Sequence, residues 1–265
     1  MNSLEKITAE KPSTLNHYKS IFPVSLCKEI ISQNKDFISF KDKLNKEKNQ
    51  ISVIAEMKKS SPSAGTIIEK YNPLEIGKNY LDNGASCLSI LTEEKFFHGK
   101  LEDIETVKNK IKLPILCKDF FIDTYQVYLA RAVGADAILI ILSAVSESLA
   151  KQIYDLANEL NLTTIVEVHT MEEAKKALNF KESIIGINNR NLTTLETDIN
   201  TTYELYEILS THNQPLICES GIKSEKEVEE IVKKTGINNF LIGESLLKDL
   251  NNKPSLFDKI LQIKP

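Results

Sequence analysis

Glu56 and Lys58 stand two residues apart at the end of the apolar run ISVIAEM, so an extended backbone puts both on the face that carries Ile54. The pattern recurs. CKDF sets Lys118 and Phe120 on the face of Leu116, and VEVH sets Glu167 on that of Ile165. GINNRNL contributes Asn188 and Arg190, and CESG contributes Glu219. Acids and lysines gathered in one place are the material of general acid–base chemistry. Taken singly, each of these residues reads as a solvated loop flank or half of a structural ion pair. Taken together, they share one parity and one end of their runs, and unpaired buried charge is too costly to recur there without a role.

A second group is suited to an anion. Glu219-Ser220-Gly221 and Gly243-Glu244-Ser245 end two late runs in small residues that let backbone amides approach a phosphate. Tight turns would require the same glycines. After the first run, KKSSPSAG has the composition of a loop, placed where a substrate lid or anion clamp would sit.

The elements that must position these residues recur regularly. Eight short apolar runs begin at 51, 87, 114, 137, 163, 183, 215 and 239, separated by amphipathic segments. Each interval is long enough for a strand, a crossover helix and two loops. Eight such units predict a (β/α)8 barrel, whose active site lies at the carboxyl ends of the strands. An open doubly wound sheet is the alternative, but GxGxxG appears nowhere. Helix starts are predicted at Asn72-Pro73 and at Ser224, where Glu227 completes a capping box. Residues 1–50 read as an N-terminal helical extension over one barrel end. In it, Pro12 and Pro23 interrupt short helical patterns before the lysine-rich KDKLNKEKNQ. Residues 51–265 form the barrel, and the whole is expected to be a single domain with no second barrel fused.

Composition narrows the function classes. A net charge of -4 with interspersed lysines offers no footprint for nucleic acid. No apolar run is long enough to span a membrane, and the start MNSLEKITAEKPS lacks the apolar core of a secretory signal, so a cytoplasmic protein is expected. Cys27, Cys87, Cys117 and Cys218 show no CxxC spacing, which predicts reduced structural thiols and no metal site.

In order along the chain, IAEMKKSSPSAG, SILTEEKFFHG, CKDF, VEVH, GINNRNL, ESGI and LIGESL resemble the indole-3-glycerol phosphate synthase family. Met57, Asn189 and much of residues 12–39 depart from its pattern. The resemblance implies cofactor-free closure of the indole ring from 1-(2-carboxyphenylamino)-1-deoxyribulose 5-phosphate, with loss of carbon dioxide and water. It implies Lys118 as general acid, Lys58 holding the departing carboxylate, Glu167 as base and Glu56 as a proton-exchanging neighbour. Ser61, Phe97, Phe120, Asn188, Arg190, Leu192 and Glu219 are implied in substrate binding, and Ser220, Gly221, Gly243, Glu244 and Ser245 in gripping the phosphate. The partner is then a small phosphorylated molecule, acted on by a monomer or weak homodimer. Two rival readings are another phosphate-binding barrel, such as phosphoribosylanthranilate isomerase, and a catalytically dead barrel kept for binding.

Overall fold

The computed structural model describes residues 3–34, 37–46, 50–250, 252 and 254–265. Eight parallel strands close into a barrel: β1 (Ser52–Met57), β2 (Cys87–Leu91), β3 (Ile115–Lys118), β4 (Ala137–Ile141), β5 (Thr163–Val168), β6 (Ile184–Asn188), β7 (Leu216–Glu219) and β8 (Asn239–Ile242). β1 pairs with β8 from Ser52↔Asn239 to Ala55↔Ile242, and this seam completes the closure. Every strand lies within its apolar run from the sequence. Past the carboxyl ends of the strands, Thr92, Phe120, Asn189 and Ser220 lie in the loops that build the site, and Glu244 opens the helix after β8.

Alternation divides the side chains into two layers. Ile54, Leu116, Ile165, Ile184, Ile217 and Leu241 fill the barrel interior, while Val53, Ala55, Met57, Cys117, Val166, Ile187 and Phe240 pack outward. That outer layer is covered by α4 (Pro73–Asp82), α5 (Glu102–Lys108), α6 (Tyr125–Ala132), α7 (Glu147–Glu159), α8 (Met171–Ala177), α9 (Asn200–Leu209) and α10 (Glu225–Thr235), with α11 (Glu244–Asp249) and α12 (Leu256–Ile260) after β8. Three further helices, α1 to α3, precede β1. Asn72 caps α4 by accepting from the Leu74 and Glu75 amides, and Ser224 with Glu227 forms the expected capping box on α10. All four cysteines are buried, and none is in a disulfide.

The extension differs from its sequence reading in three ways. Pro12 breaks nothing and lies inside α1 (Ser3–Ile21). Interior proline costs a helix about 3 kcal/mol, but Ile7, Lys11 and Leu15 recur at helical spacing and are all buried against the barrel, so docking outweighs propensity. Pro23 does stand at a break, before α2 (Val24–Gln33), which packs on α6. The lysine-rich stretch begins as helix α3 (Phe40–Lys46), while residues 47–49 lie outside the described residues. Finally, the extension reaches both barrel ends. Phe40 and Leu44 of α3 join the interior cluster, and Lys41 pairs with Glu182 just before β6, which puts α3 at the amino ends of the strands. At the opposite end, Lys11 of α1 pairs with Asp119 after β3 at 2.5 Å.

Asp136, fully buried before β4, ties the lower end together. It accepts from Lys108 Nζ at 2.5 Å and from the amides of Ile115 and Ile38, at 2.9 Å each, so one carboxylate joins α5, β3 and the extension. Asp136→Ala leaves a buried lysine and two amides unmatched. Urea unfolding is expected to show a loss of about 3–5 kcal/mol, with the turnover of the remaining folded protein little changed.

Candidate active site

The interior ladder of side chains ends in a cavity of about 390 Å³ at the carboxyl ends of the strands. Glu56, Lys58, Phe97, Lys118, Phe120, Glu167, Asn188, Arg190, Leu192, Glu219, Ser220, Gly221, Gly243, Glu244 and Ser245 all line it. Ser61 lies apart, in a short hairpin pairing Ser60–Ser61 with Gly65–Thr66. It borders a smaller side chamber shared with Lys58, Phe120 and Arg190 and roofed by Ser3, Leu4 and Ile7 of α1. Its hydroxyl accepts from the Ala64 amide and so fixes the hairpin.

Lys118 occupies the centre of the cavity floor. Its Nζ donates to Glu167 Oε2 at 2.8 Å and to Glu219 Oε2 at 2.7 Å, and both carboxylates are almost wholly buried. Burial alone would depress the lysine, but Glu167, Glu219 and Glu56 outweigh it and hold the ammonium well above its ordinary range. Burial also acts against the charge on Glu167, yet Lys118 and His169 overcome it and keep that carboxyl well below the usual carboxylate range. Glu219 goes the other way: burial and the neighbouring Glu167 push it up to about 7 against the pull of Lys118. One ammonium thus lies between two buried carboxylates whose proton affinities are pushed in opposite directions, an arrangement able to give and take protons at a single point.

The other groups are held as firmly. Lys58 donates to Glu56 Oε1 at 2.5 Å. The Arg190 amide donates to Asn188 Oδ1, and its guanidinium donates to the Leu195 carbonyl, bracing the loop after β6. The Phe97 and Phe120 rings stand 6.2 Å apart, tilted by 37°, along one wall. Ser220 and Gly221 adopt successive left-handed conformations, φ +65° and +82°, in the turn after β7 that borders the cavity. The Ser245 hydroxyl donates to the Ile222 carbonyl and ties this turn to the start of α11. The Glu244 side chain is engaged by Lys248, which leaves its amide as the group that could serve an anion. Among the described residues, no three His, Cys, Asp or Glu side chains are grouped to hold a metal ion.

Three contributors escape the sequence reading. Gly186 on β6 faces Glu219 so closely that a Cβ there would lie 2.0 Å from Glu219 Oε1. Asn189, buried, donates to the Ser220 carbonyl at 3.1 Å and holds the strained serine in place. His169 stands 3.3 Å from Glu167 Oε1. Only Asn189, as a departure from a family pattern, and His169, within VEVH, carried any signal in the sequence.

The chain is similar to known proteins along almost its whole length. The family model described as indole-3-glycerol phosphate synthase matches residues 4–256. A Trichodesmium erythraeum protein of that name is 38% identical over 255 residues, covering 94% of this chain and 86% of its own. Another from Aliarcobacter butzleri is 41% identical over 237 residues, covering 89% and 87%. Among solved structures, a mutant tryptophan synthase alpha-subunit from Pyrococcus furiosus superposes with a TM-score of 0.60 at 14% identity, covering 81% of this chain and all of that one, a likeness of fold alone.

Proposed function

The chain belongs to the indole-3-glycerol phosphate synthase family, and from that premise we propose how its cavity closes an indole ring. The activity is that of a decarboxylating lyase of tryptophan biosynthesis, acting on a small phosphorylated substrate. The observation that carries the residue assignment is Lys118, held between Glu167 and Glu219 in a cavity that the left-handed turn at Ser220 and Gly221 also borders.

The substrate is 1-(2-carboxyphenylamino)-1-deoxyribulose 5-phosphate. Its phosphate meets the amides of Ser220, Gly221, Gly243, Glu244 and Ser245, and its aromatic ring lies among Phe97, Phe120 and Leu192. Ser61 steadies the hairpin over the ring. Lys58 holds the carboxylate, and Asn188, Arg190 and Glu219 orient the ribulose chain.

The ring carbon bearing the carboxylate attacks the ketone carbon, and Lys118 delivers a proton to the developing alkoxide, which becomes a hydroxyl. The carbon–carboxylate bond then breaks. Carbon dioxide leaves and its electron pair restores the aromatic ring. In the last step Glu167 removes a proton from the carbon next to nitrogen while Lys118, reprotonated from solvent after the first step, protonates the departing hydroxyl as water, and Glu56 exchanges protons with its neighbouring cations. These steps need no cofactor. Residues 1–265 act as one domain, with 1–50 as the helical extension and 51–265 as the barrel, working in the cytoplasm as a monomer or weak homodimer. Among the described residues no helix is long and apolar enough to cross a membrane.

Parallel assays of the ring-closing reaction and of phosphoribosylanthranilate isomerisation test this reading. Turnover is expected for the first substrate alone. Turnover of the second alone would overturn the assignment, and turnover of neither by folded protein would favour a binding barrel.

A further inference from the structure

His169 follows β5 with the parity of Glu167, and its imidazole is shut between two carboxylates. Nε2 stands 3.3 Å from Glu167 Oε1 as an ion-pair contact without hydrogen-bond alignment, and Nδ1 stands 3.3 Å from Glu173 Oε2. A carboxylate offers only acceptors and negative charge, so a ring facing one on each side is favoured with a proton on both nitrogens. Glu173 is itself fixed. Its Oε2 accepts from the His169 amide at 2.7 Å, and its own amide donates to Thr170, the N-cap of α8. The second oxygen of Glu167 is engaged by Lys118, so cations hold this carboxylate from both sides. His169 does not line the cavity.

We propose that His169 is a positioning residue for the ring-closing reaction: as an imidazolium anchored by Glu173, it fixes the plane of the Glu167 carboxylate and keeps it ionised, with the other oxygen turned to Lys118 and the substrate. The inference rests on the role given to Glu167 above. The charged groups facing the ring are Glu167 from β5 and Glu173 from α8. The single-turn helix Leu142–Ala144, packed on both elements, contributes no titratable group. Although burial opposes it, these two carboxylates hold the imidazolium up to about 9, so the ring keeps its charge across the neutral range.

The test begins with the wild-type protein, because absence of ring closure there rejects the reading of the site and leaves the histidine unjudged. With an active wild type, His169→Gln removes the cation and most of the restraint. kcat is expected to fall about ten- to a hundredfold, up to the loss attached to a catalytic group held about 1 Å out of place, with KM within about twofold. The acid limb of the kcat–pH profile is expected to move to higher pH, because a carboxyl deprived of a nearby cation binds its proton more tightly. Unchanged kcat and an unmoved acid limb, or a loss confined to KM, would overturn the proposal. A readout independent of folding in that variant is the ring 15N signal of His169 in Glu173→Gln. Its titration is expected at lower pH than in wild type, and an unshifted titration would equally overturn the proposal.

Discussion

Lys118→Met is expected to reduce ring-closing turnover by about 10²- to 10⁴-fold, the usual scale for loss of a positioned general acid, while the barrel still folds. Lys118 is the donor on the cavity floor, and both of its partners accept from it. Methionine preserves the stem and removes the proton. The same change leaves Glu167 and Glu219 facing one another, both buried, with no ammonium between them. Two carboxylates in that position cannot both stay ionised at low cost. Their proton affinities rise above those of the unfolded chain, so the native variant binds protons that the unfolded chain lacks, and its stability falls as pH rises. Urea unfolding at acid and at mildly alkaline pH is expected to show a deficit of about 3–5 kcal/mol at the higher pH, largely recovered at the lower. A deficit independent of pH would mean that the lysine contributes packing rather than charge.

Gly186→Ala is expected to abolish most activity through a residue with no functional group. The added Cβ would lie 2.0 Å from Glu219 Oε1, 3.1 Å from its Cδ and 3.3 Å from Ile165 Cγ2. A flexible surface carboxylate would swing aside. This one is held by Lys118 and enclosed, so it can move only by leaving the lysine. Overpacking of this kind costs about 1–3 kcal/mol, and the displaced carboxylate loses its contact with Lys118. Turnover is expected to fall about a hundredfold, the loss attached to catalytic groups held about 1 Å out of place. Combining Gly186→Ala with Glu219→Ala removes the clash, so stability should recover relative to Gly186→Ala while activity stays low. If the double variant is no more stable than the single one, the strain lies elsewhere.

The contrast between Lys118 and Gly186 shows what the sequence could convey. Parity along a barrel strand is a rigid rule, so Glu56, Lys118, Glu167 and Glu219 reach one cavity wherever the strand ends fall, and an error of two residues in a boundary leaves the inference intact. Gly186 lies in IIGIN, where a glycine reads as a small apolar residue. Its role appears only once β6 and β7 are neighbours and Glu219 needs the missing Cβ. His169 and Asn189 act through partners on other elements, α8 and the turn after β7, and no local pattern reports such pairings. Pro12 misled for a related reason, since local propensity cannot anticipate a helix held straight by Ile7 and Leu15 docking on the barrel. The extension's division between the two barrel ends rests on Lys11–Asp119 and on the Ile38–Asp136 contact, pairs 108 and 98 residues apart, and was equally illegible.

The most direct test of the account is to mix the purified protein with 1-(2-carboxyphenylamino)-1-deoxyribulose 5-phosphate in the presence of a chelator and follow indole fluorescence together with carbon dioxide release. The account predicts full activity, with one carbon dioxide released for each indole formed. A folded protein that forms no indole, or one whose turnover is lost to the chelator, would contradict it.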